Sequence, residues 1–465
     1  MIKTSRALAL GTLVAGLVAI LAFVGGVAVA LRWGGTLPLV ATLAPTVPAN
    51  TTPAKAANDF KVFWEVWELI DTQFYHKEPL NYRKMTYGAI EGMLKSLGDD
   101  YTGFDEPVNA AARQERLSGQ FEGIGAYVEF KDGKLLIVAP IEESPAEKAG
   151  LLAGDQVLKV DGQDMAPQLD GLDPAEAAAK AASIIRGPKG TPVVLTVFRA
   201  DTNETRDFTI NRDAIPLISV RTKMLAGKIA YVQVSEFKET TTAELDKALT
   251  TVLEQQPAGL ILDLRNNPGG YLNTAREMLG RFVADGVALQ EEFSDGSRSN
   301  LDTLNNGGPR VLDLPMVVLT NGGSASASEI VVGGLRDHKR ATLLGEKTFG
   351  KGSVQALKQL SDKSSARITI ARWLTPNGDQ IHQKGIEPHV YVPLQQEEQY
   401  RVDLPQRRPS DLANVNDSQL WWAIKTLTTN ERPAFPTPTP TVAADDTSAA
   451  PPEATPAEPT ATATP

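Results

Sequence analysis

Apolar positions in the first folded stretch recur at helical spacing. Phe60, Phe63, Trp64, Trp67 and Ile70 fall on one stripe and Tyr87, Ile90, Met93 and Leu94 on a second, which predicts two or three packed helices over 58–118 with the aromatic side chains as their core. Between 119 and 212 the pattern shortens to β-rich runs, LLIVAPI, QVLKVDG and PVVLTVFRA, interrupted by the helix DPAEAAAKAASIIRG. Asp173 is its expected N-cap, Pro174 fits its first turn and Gly187 its stop, so a compact β domain with one long helix is predicted. From 213 to 395 the two signals alternate. KIAYVQVSEF reads as a strand, TTAELDKALTTVLEQQ as a helix opened by a Thr241–Glu244 capping box, and GLILDLR as a strand apolar enough to be buried on both faces. PMVVLT leads into a Gly/Ser turn and a further helix, and ATLLG supplies another strand. The fold class is therefore α+β and multidomain, with an α/β core.

The ends of the chain have a different character. Residues 7–31 carry no charge and would span roughly 37 Å as a helix, enough for a tilted crossing of a bilayer. Lys3 and Arg6 precede this run, so the positive-inside bias puts the N-terminus in the cytoplasm and the bulk of the chain outside. The apolar run exceeds the roughly 7–15 residues of a signal-peptide core, which favours an uncleaved anchor in the lipid bilayer over a cleaved leader. Either reading exports the protein, to the outer side of the cell membrane or, after cleavage, to the periplasm or medium. Residues 1–32 thus form a cytoplasmic stub with anchor or leader, 33–57 a Thr/Pro/Ala-rich linker, 396–432 a helical extension, and 433–465 a Pro/Thr/Ala-rich tail expected to be disordered.

Charge and composition remove several classes of function. Forty-six Lys and Arg against 56 Asp and Glu leave a formal net charge of -10, so no global positive field exists to hold nucleic acid. With no cysteine, a thiol nucleophile, a disulfide framework and an iron–sulfur cluster are all excluded. The four histidines, His76, His338, His382 and His389, are too scattered for an HExxH-type zinc site, and no metal or cofactor is expected. Any nucleophile is a hydroxyl or an amine.

Three segments carry candidate chemistry. LILDLRNNPGGYLN ends a buried strand in Asn266, Asn267, Pro268, Gly269 and Gly270, where glycines let backbone amides face a substrate beyond the carboxyl end of a sheet. VVLTNGGSASASE leaves a second strand and enters a helix. On helical geometry Ser324 and Ser328 share a face and Ser326 points elsewhere, so only one of the three reaches a given site. Ser326-Ala-Ser-Glu329 also fits a capping box, in which the hydroxyl merely satisfies an amide. A nucleophile at a helix N-terminus has the same local sequence, and the Ala327 amide would then help hold an oxyanion. GEKTFGKGSVQ places Lys351 between Gly350 and Gly352, with Gln355 four residues on. A lysine serves as a base only when neutral, and burial shifts its pKa that way. Gly345 to Lys351 also reproduces the start of a phosphate-binding GxxxxGK[ST] loop, but Gly352 stands where the magnesium-binding hydroxyl is required.

FEGIGAYVEF followed by SPAEKAGLLAGDQVLKVDG resembles a PDZ domain over most of 119–212. The resemblance implies that the loop Gly123, Ile124, Gly125 and Ala126 holds a substrate C-terminal carboxylate on backbone amides while the peptide adds a strand beside the helix. Taken together and in this order, DLRNNPGG, GSASASE and KTFGKGSVQ resemble the carboxy-terminal processing peptidases, the tail-specific protease family, over roughly 60–395. That resemblance implies a ClpP/crotonase-like α/β catalytic core over 213–395 and a serine endopeptidase acting on protein or peptide substrates with apolar C-termini. It assigns Ser326 as nucleophile, Lys351 as general base, Gln355 as the residue positioning the lysine, and Ala327 with Gly269 or Gly270 as oxyanion donors. Asp337 matches an acid of supporting role. A homo-oligomer is left open. Arg186, at the end of the helix in the PDZ stretch, is a candidate contact through which a bound peptide end shifts that domain and opens the cleft. The competing reading from another class is a membrane-tethered PDZ adaptor with an inactive protease-like scaffold.

Overall fold

A computed structural model describes residues 59–75, 78–405, 414–433 and 435–436. The uncharged run 7–31, the linker and the Pro/Thr/Ala-rich tail beyond 436 lie outside the described residues. Among the described residues no helix is long and apolar enough to cross a membrane.

Alternation of side chains across one six-stranded sheet organises the core domain. Val220–Leu225 runs antiparallel to Ile229–Val234, and from there Gly259–Asp263, Met316–Thr320, Thr342–Gly345 and Val390–Tyr391 continue in parallel. Leu260, Leu262 and Val318 turn to one face and pack with three helices, Thr241–Leu253, Leu272–Phe282 and Ala327–Asp337. Ile261, Val317 and Leu319 turn to the other face, where they meet Leu420 and Ala423 of the helix Ser418–Thr429. Gly259–Asp263 and Met316–Thr320 are buried at every position, which explains why they read as unbroken apolar runs rather than alternating ones. Arg265 fastens the last helix to the sheet: it is bidentate to Asp263 and donates to Asp417 and Gln419.

A second sheet holds the hairpin Ser353–Gln359 and Ser365–Leu374, flanked by Gly103–Asp105 and by Val287–Glu292 with Arg298–Asp302. Tyr87, on the helix Tyr82–Lys95, clamps the hairpin tip by donating to Asp362 Oδ2 at 2.7 Å.

The stretch 120–216 forms its own domain with its own core. Five strands run in the order Ala126–Lys131, Lys134–Pro140, Gln156–Val160, Pro192–Arg199 and Glu204–Asn211, and the helix Pro174–Ile185 packs on them through Ala177, Ala181 and Ile185. Asp173 caps this helix by accepting from the amides of Ala175 and Glu176. The strands that lead into and out of the domain, Gln120–Gly123 and Asp213–Pro216, pair antiparallel as a two-stranded ribbon.

Two local expectations are corrected. The helix Thr241–Leu253 starts one residue earlier than the capping box required: Thr240 is the N-cap, and Glu244 instead accepts from the amides of Ser219 and Val220 on the neighbouring strand. The aromatic stripe of Asp59–Gln73 is not a core. Phe60, Phe63, Trp64 and Trp67 stack on one another, but no residue of that helix is buried and Trp64 is 55% exposed.

Candidate active site

Three neighbouring parallel strands end at the same edge of the core sheet, and each hands the chain to one part of the site. Gly259–Asp263 leads to the Asn-Pro-Gly-Gly turn, Met316–Thr320 to the serine turn, and Thr342–Gly345 to the lysine loop. Ser326, Ala327, Gly269, Gly270, Lys351 and Gln355 line one cleft of about 760 Å³.

Ser326 sits immediately before the helix Ala327–Asp337 with φ 57° and ψ −117°, a region that residues with a Cβ rarely occupy. Its neighbours enforce the turn. Ser324 precedes the helix rather than lying in it, and its hydroxyl donates to the Leu264 carbonyl while accepting from the Asn321 amide. Ser328 donates to the Asn267 carbonyl. Both are fully buried, so their hydroxyls anchor the turn, whereas Ser326 faces the cleft. Gly269 packs directly beneath it: a Cβ there would stand 2.8 Å from Ser326 Cβ and 2.9 Å from the Ala327 amide.

Asn267, fully buried, fixes the glycine turn by donating to the Val234 carbonyl and accepting from the Gly269 amide at 2.9 Å. That bond removes Gly269 from the two candidate oxyanion donors. The amides of Gly270 and Ala327 make no hydrogen bond among the described residues.

Lys351 is half-buried, and burial is the first cause that pushes its pKa below the ordinary 10.5. Its carbonyl accepts from Trp373 Nε1 at 3.0 Å, and its Nζ stands 5.2 Å from the centre of the Tyr101 ring. No hydrogen bond joins Nζ to the Ser326 hydroxyl, so the two side chains share the cleft without bonding to each other. Gln355 turns its amide nitrogen to Ser353 Oγ at 2.8 Å and Thr369 Oγ1 at 3.3 Å, not to Lys351. Asp337 is displaced altogether. It lies at the far end of the helix, about 16 Å along the axis from Ser326, where it pairs with Arg336 and accepts from the Asn377 amide.

The residue that sequence reasoning missed is Glu329. It entered that reading only as the third position of a capping box, and its carboxylate does accept from the Ser326 amide at 2.9 Å. The same oxygen accepts from the Lys351 amide at 2.8 Å, and the other accepts from the Gly350 amide at 2.7 Å and from Thr348 Oγ1 at 2.6 Å. One fully buried carboxylate thus ties the serine turn to the lysine loop. Burial pushes its pKa up and the four donors oppose that shift. Among the described residues no group of three or more His, Asp or Glu side chains is placed to hold a metal ion.

In the 120–216 domain, the loop Gly123–Ala126 connects the ribbon to Ala126–Lys131, the edge strand of its sheet. That strand lies beside the helix Pro174–Ile185 and, among the described residues, pairs with no strand on its outer side. Gly125 has φ +76°, and the amides of Ile124 and Gly125 make no hydrogen bond among the described residues. Arg186 ends the helix, pairs with Glu115 at 2.9 Å and stacks on Phe121 at 4.9 Å.

A cleft-facing serine on a strained turn, a half-buried lysine and a separate domain with an open strand edge define a serine-type peptidase carrying a peptide-binding insertion. Comparison with known proteins agrees. Residues 228–392 match peptidase family S41 and residues 136–199 a PDZ domain. The chain is 40% identical over 331 residues to the carboxy-terminal processing protease CtpA of Bacillus subtilis (strain 168), covering 71% of this chain and 68% of that protein. It is 36% identical over 382 residues to CtpB of the same organism, covering 79% and 76%. Among solved structures, the photosystem II D1 C-terminal processing protease aligns over 73% of this chain and 88% of its own at 31% identity, with a TM-score of 0.41. The chain belongs to the carboxy-terminal processing proteases of peptidase family S41: it is a serine-type C-terminal processing protease with a PDZ domain. The inactive-adaptor reading has no support among these relatives, which are named as proteases.

Proposed function

We propose that Ser326 attacks the scissile carbonyl while the neutral amine of Lys351 takes its proton. The same lysine then returns that proton to the leaving amine, and water hydrolyses the resulting ester by the reverse relay. The amides of Ala327 and Gly270 receive the developing oxyanion. Reaching the hydroxyl requires the Lys351 side chain to swing from the Tyr101 ring across the cleft, a movement in keeping with loosely aligned catalytic groups in substrate-free enzymes. In that swung state the Gln355 carbonyl oxygen is the group that orients the amine. The observation carrying this reading is the Glu329 carboxylate, which fixes the backbones of Ser326 and Lys351 through one side chain.

Substrate C-termini dock on the Gly123, Ile124, Gly125 and Ala126 loop, with the chain end added to the Ala126–Lys131 edge. The Arg186–Glu115 pair supports a coupling between this docking and the cleft, because Glu115 shares its helix, Pro107–Ser118, with the cleft-lining Arg113 and Arg116. The uncharged run 7–31 supports anchoring in the cell membrane with the catalytic part on the extracytoplasmic side.

The test is cleavage of an unfolded protein with an apolar C-terminus by wild type, Ser326→Ala and Lys351→Ala, each checked for folding by circular dichroism. Both variants fold and neither cleaves. Cutting that persists in either one rejects the dyad.

A further inference from the structure

Arg113 and Arg367 line the same cleft as Lys351 and converge on a single buried carboxylate, Asp105. Arg113 takes it in a bidentate grip, Nε to Oδ2 at 2.8 Å and Nη2 to Oδ1 at 3.1 Å. Arg367 approaches the same Oδ2 at 3.3 Å, but its Nε is buried and makes no hydrogen bond. Ser365 Oγ adds a weak bond at 3.4 Å. Asp105 is thus already satisfied by Arg113, and the second guanidinium adds charge without completing any hydrogen-bond set. Two positive charges against one negative leave the cluster with an excess of one positive charge beside the lysine.

We propose that this Arg113–Asp105–Arg367 cluster is a positioning element of the catalytic machinery, whose uncompensated positive charge disfavours a second cation in the cleft and so holds Lys351 as the free amine. The inference rests on the reading of Lys351 as the base. The charged groups acting on that amine come from several elements around it, and the Tyr101 phenol faces it at 5.2 Å from ring centre to Nζ. Arg367 on the hairpin and Arg113 on the helix Pro107–Ser118 act, after burial, to lower its proton affinity. Glu329 beneath the serine turn and Asp99 ahead of the Tyr101 wall act to raise it. Glu329 already accepts from four donors, over which its negative charge is spread. Asp99 accepts from Thr102 and from the Tyr101 amide. The balance therefore falls to the arginines.

Two arginines share Asp105, so removing either one leaves that carboxylate a cationic neighbour, and the folding of each variant is checked by circular dichroism before its profile is read. The measurement is the pH profile of kcat/KM for Arg367→Met, Arg113→Met and Arg367→Lys beside wild type and Lys351→Ala. In the two methionine variants the acidic limb moves toward alkaline pH. Activity at neutral pH falls by about tenfold for each unit of that movement and recovers to the wild-type level in alkaline buffer. Arg367→Lys, which keeps the charge, retains the wild-type limb. A loss that is uniform across pH in both methionine variants overturns the inference, as does an equal movement in Arg367→Lys. Those failures leave the dyad standing provided Lys351→Ala is inactive; cleavage by Lys351→Ala removes the dyad itself.

Discussion

Replacing Glu329 separates its charge from its tethering. In Glu329→Gln the amide must point its NH2 group at one of two pairs of donors. On one side lie the amides of Ser326 and Lys351, and on the other the Gly350 amide and the Thr348 hydroxyl. A hydroxyl can rotate and an amide cannot, so the NH2 group settles toward Thr348 and Gly350. Only Gly350 N–H is then orphaned, at about 1–3 kcal/mol. The bonds to Ser326 and Lys351 persist but lose their charge assistance, about 1 kcal/mol each. The variant should be destabilised by about 3–5 kcal/mol in urea unfolding, while kcat on a peptide substrate stays within about tenfold of wild type. Glu329→Ala instead releases both catalytic backbones. Its kcat should fall about a hundredfold or more with KM little changed, since the lost geometry corresponds to about 3 kcal/mol of transition-state positioning. An Ala variant that keeps its kcat, or a Gln variant that falls as far as the Ala variant, refutes the tethering argument.

Lys351 also links stability to pH. Its folded pKa lies below the ordinary 10.5, so between those two values only the unfolded chain holds the proton, and stability rises with pH across that window. Lys351→Met should flatten the rise in unfolding free energy measured by urea titration at successive pH values. Gly269→Ala puts a Cβ 2.8 Å from both the Ala325 carbonyl oxygen and Ser326 Cβ, at a residue with φ +101°. It should abolish turnover and lower the melting temperature, and an active, stable variant would show that the turn is less constrained than described. Gly125→Ala drives a Cβ to 2.4 Å from Ser144 Cβ. It should weaken binding of a C-terminal peptide, measured by fluorescence anisotropy, while a short peptide that bypasses the PDZ domain is still cut. Breaking the contact to Glu115 with Arg186→Ala should leave peptide affinity intact but change the stimulation of cleavage by added C-terminal peptide, read as the ratio of rates with and without it.

The residue pattern was a good guide where a segment's own composition spells out its burial, and misled for the aromatic stripe of Asp59–Gln73, which stacks on itself without being covered. The capped helix Pro174–Ile185 and the fully buried strands Gly259–Asp263 and Met316–Thr320 were legible because their burial is written in runs of one residue type. Failures came where a side chain bonds across the fold. Glu244 fitted a local cap, yet it reaches the neighbouring strand. Glu329 fitted the same kind of cap and satisfies it, but its second task depends on the lysine loop arriving 21 and 22 residues later in the chain. Asp105, Arg113 and Arg367 span more than 250 residues and look like surface charges when read one at a time. Gly269 and Gly270 were equal candidates in the sequence because an amide's partner, here the Asn267 side chain, is invisible without geometry.

The ribbon beneath the PDZ domain makes that domain a detachable module. Gly119 and Leu217, at its foot, already share a hydrogen bond of 2.8 Å from the Leu217 amide to the Gly119 carbonyl. A short turn joining these two residues would close the gap left by removing everything between them, without bending the helix Pro107–Ser118 or the strand Val220–Leu225. The same pair of adjacent ends would accept a foreign recognition domain whose termini lie side by side. Such an exchange would replace the peptide reader and, with it, the Arg186–Glu115 contact to the helix that lines the cleft.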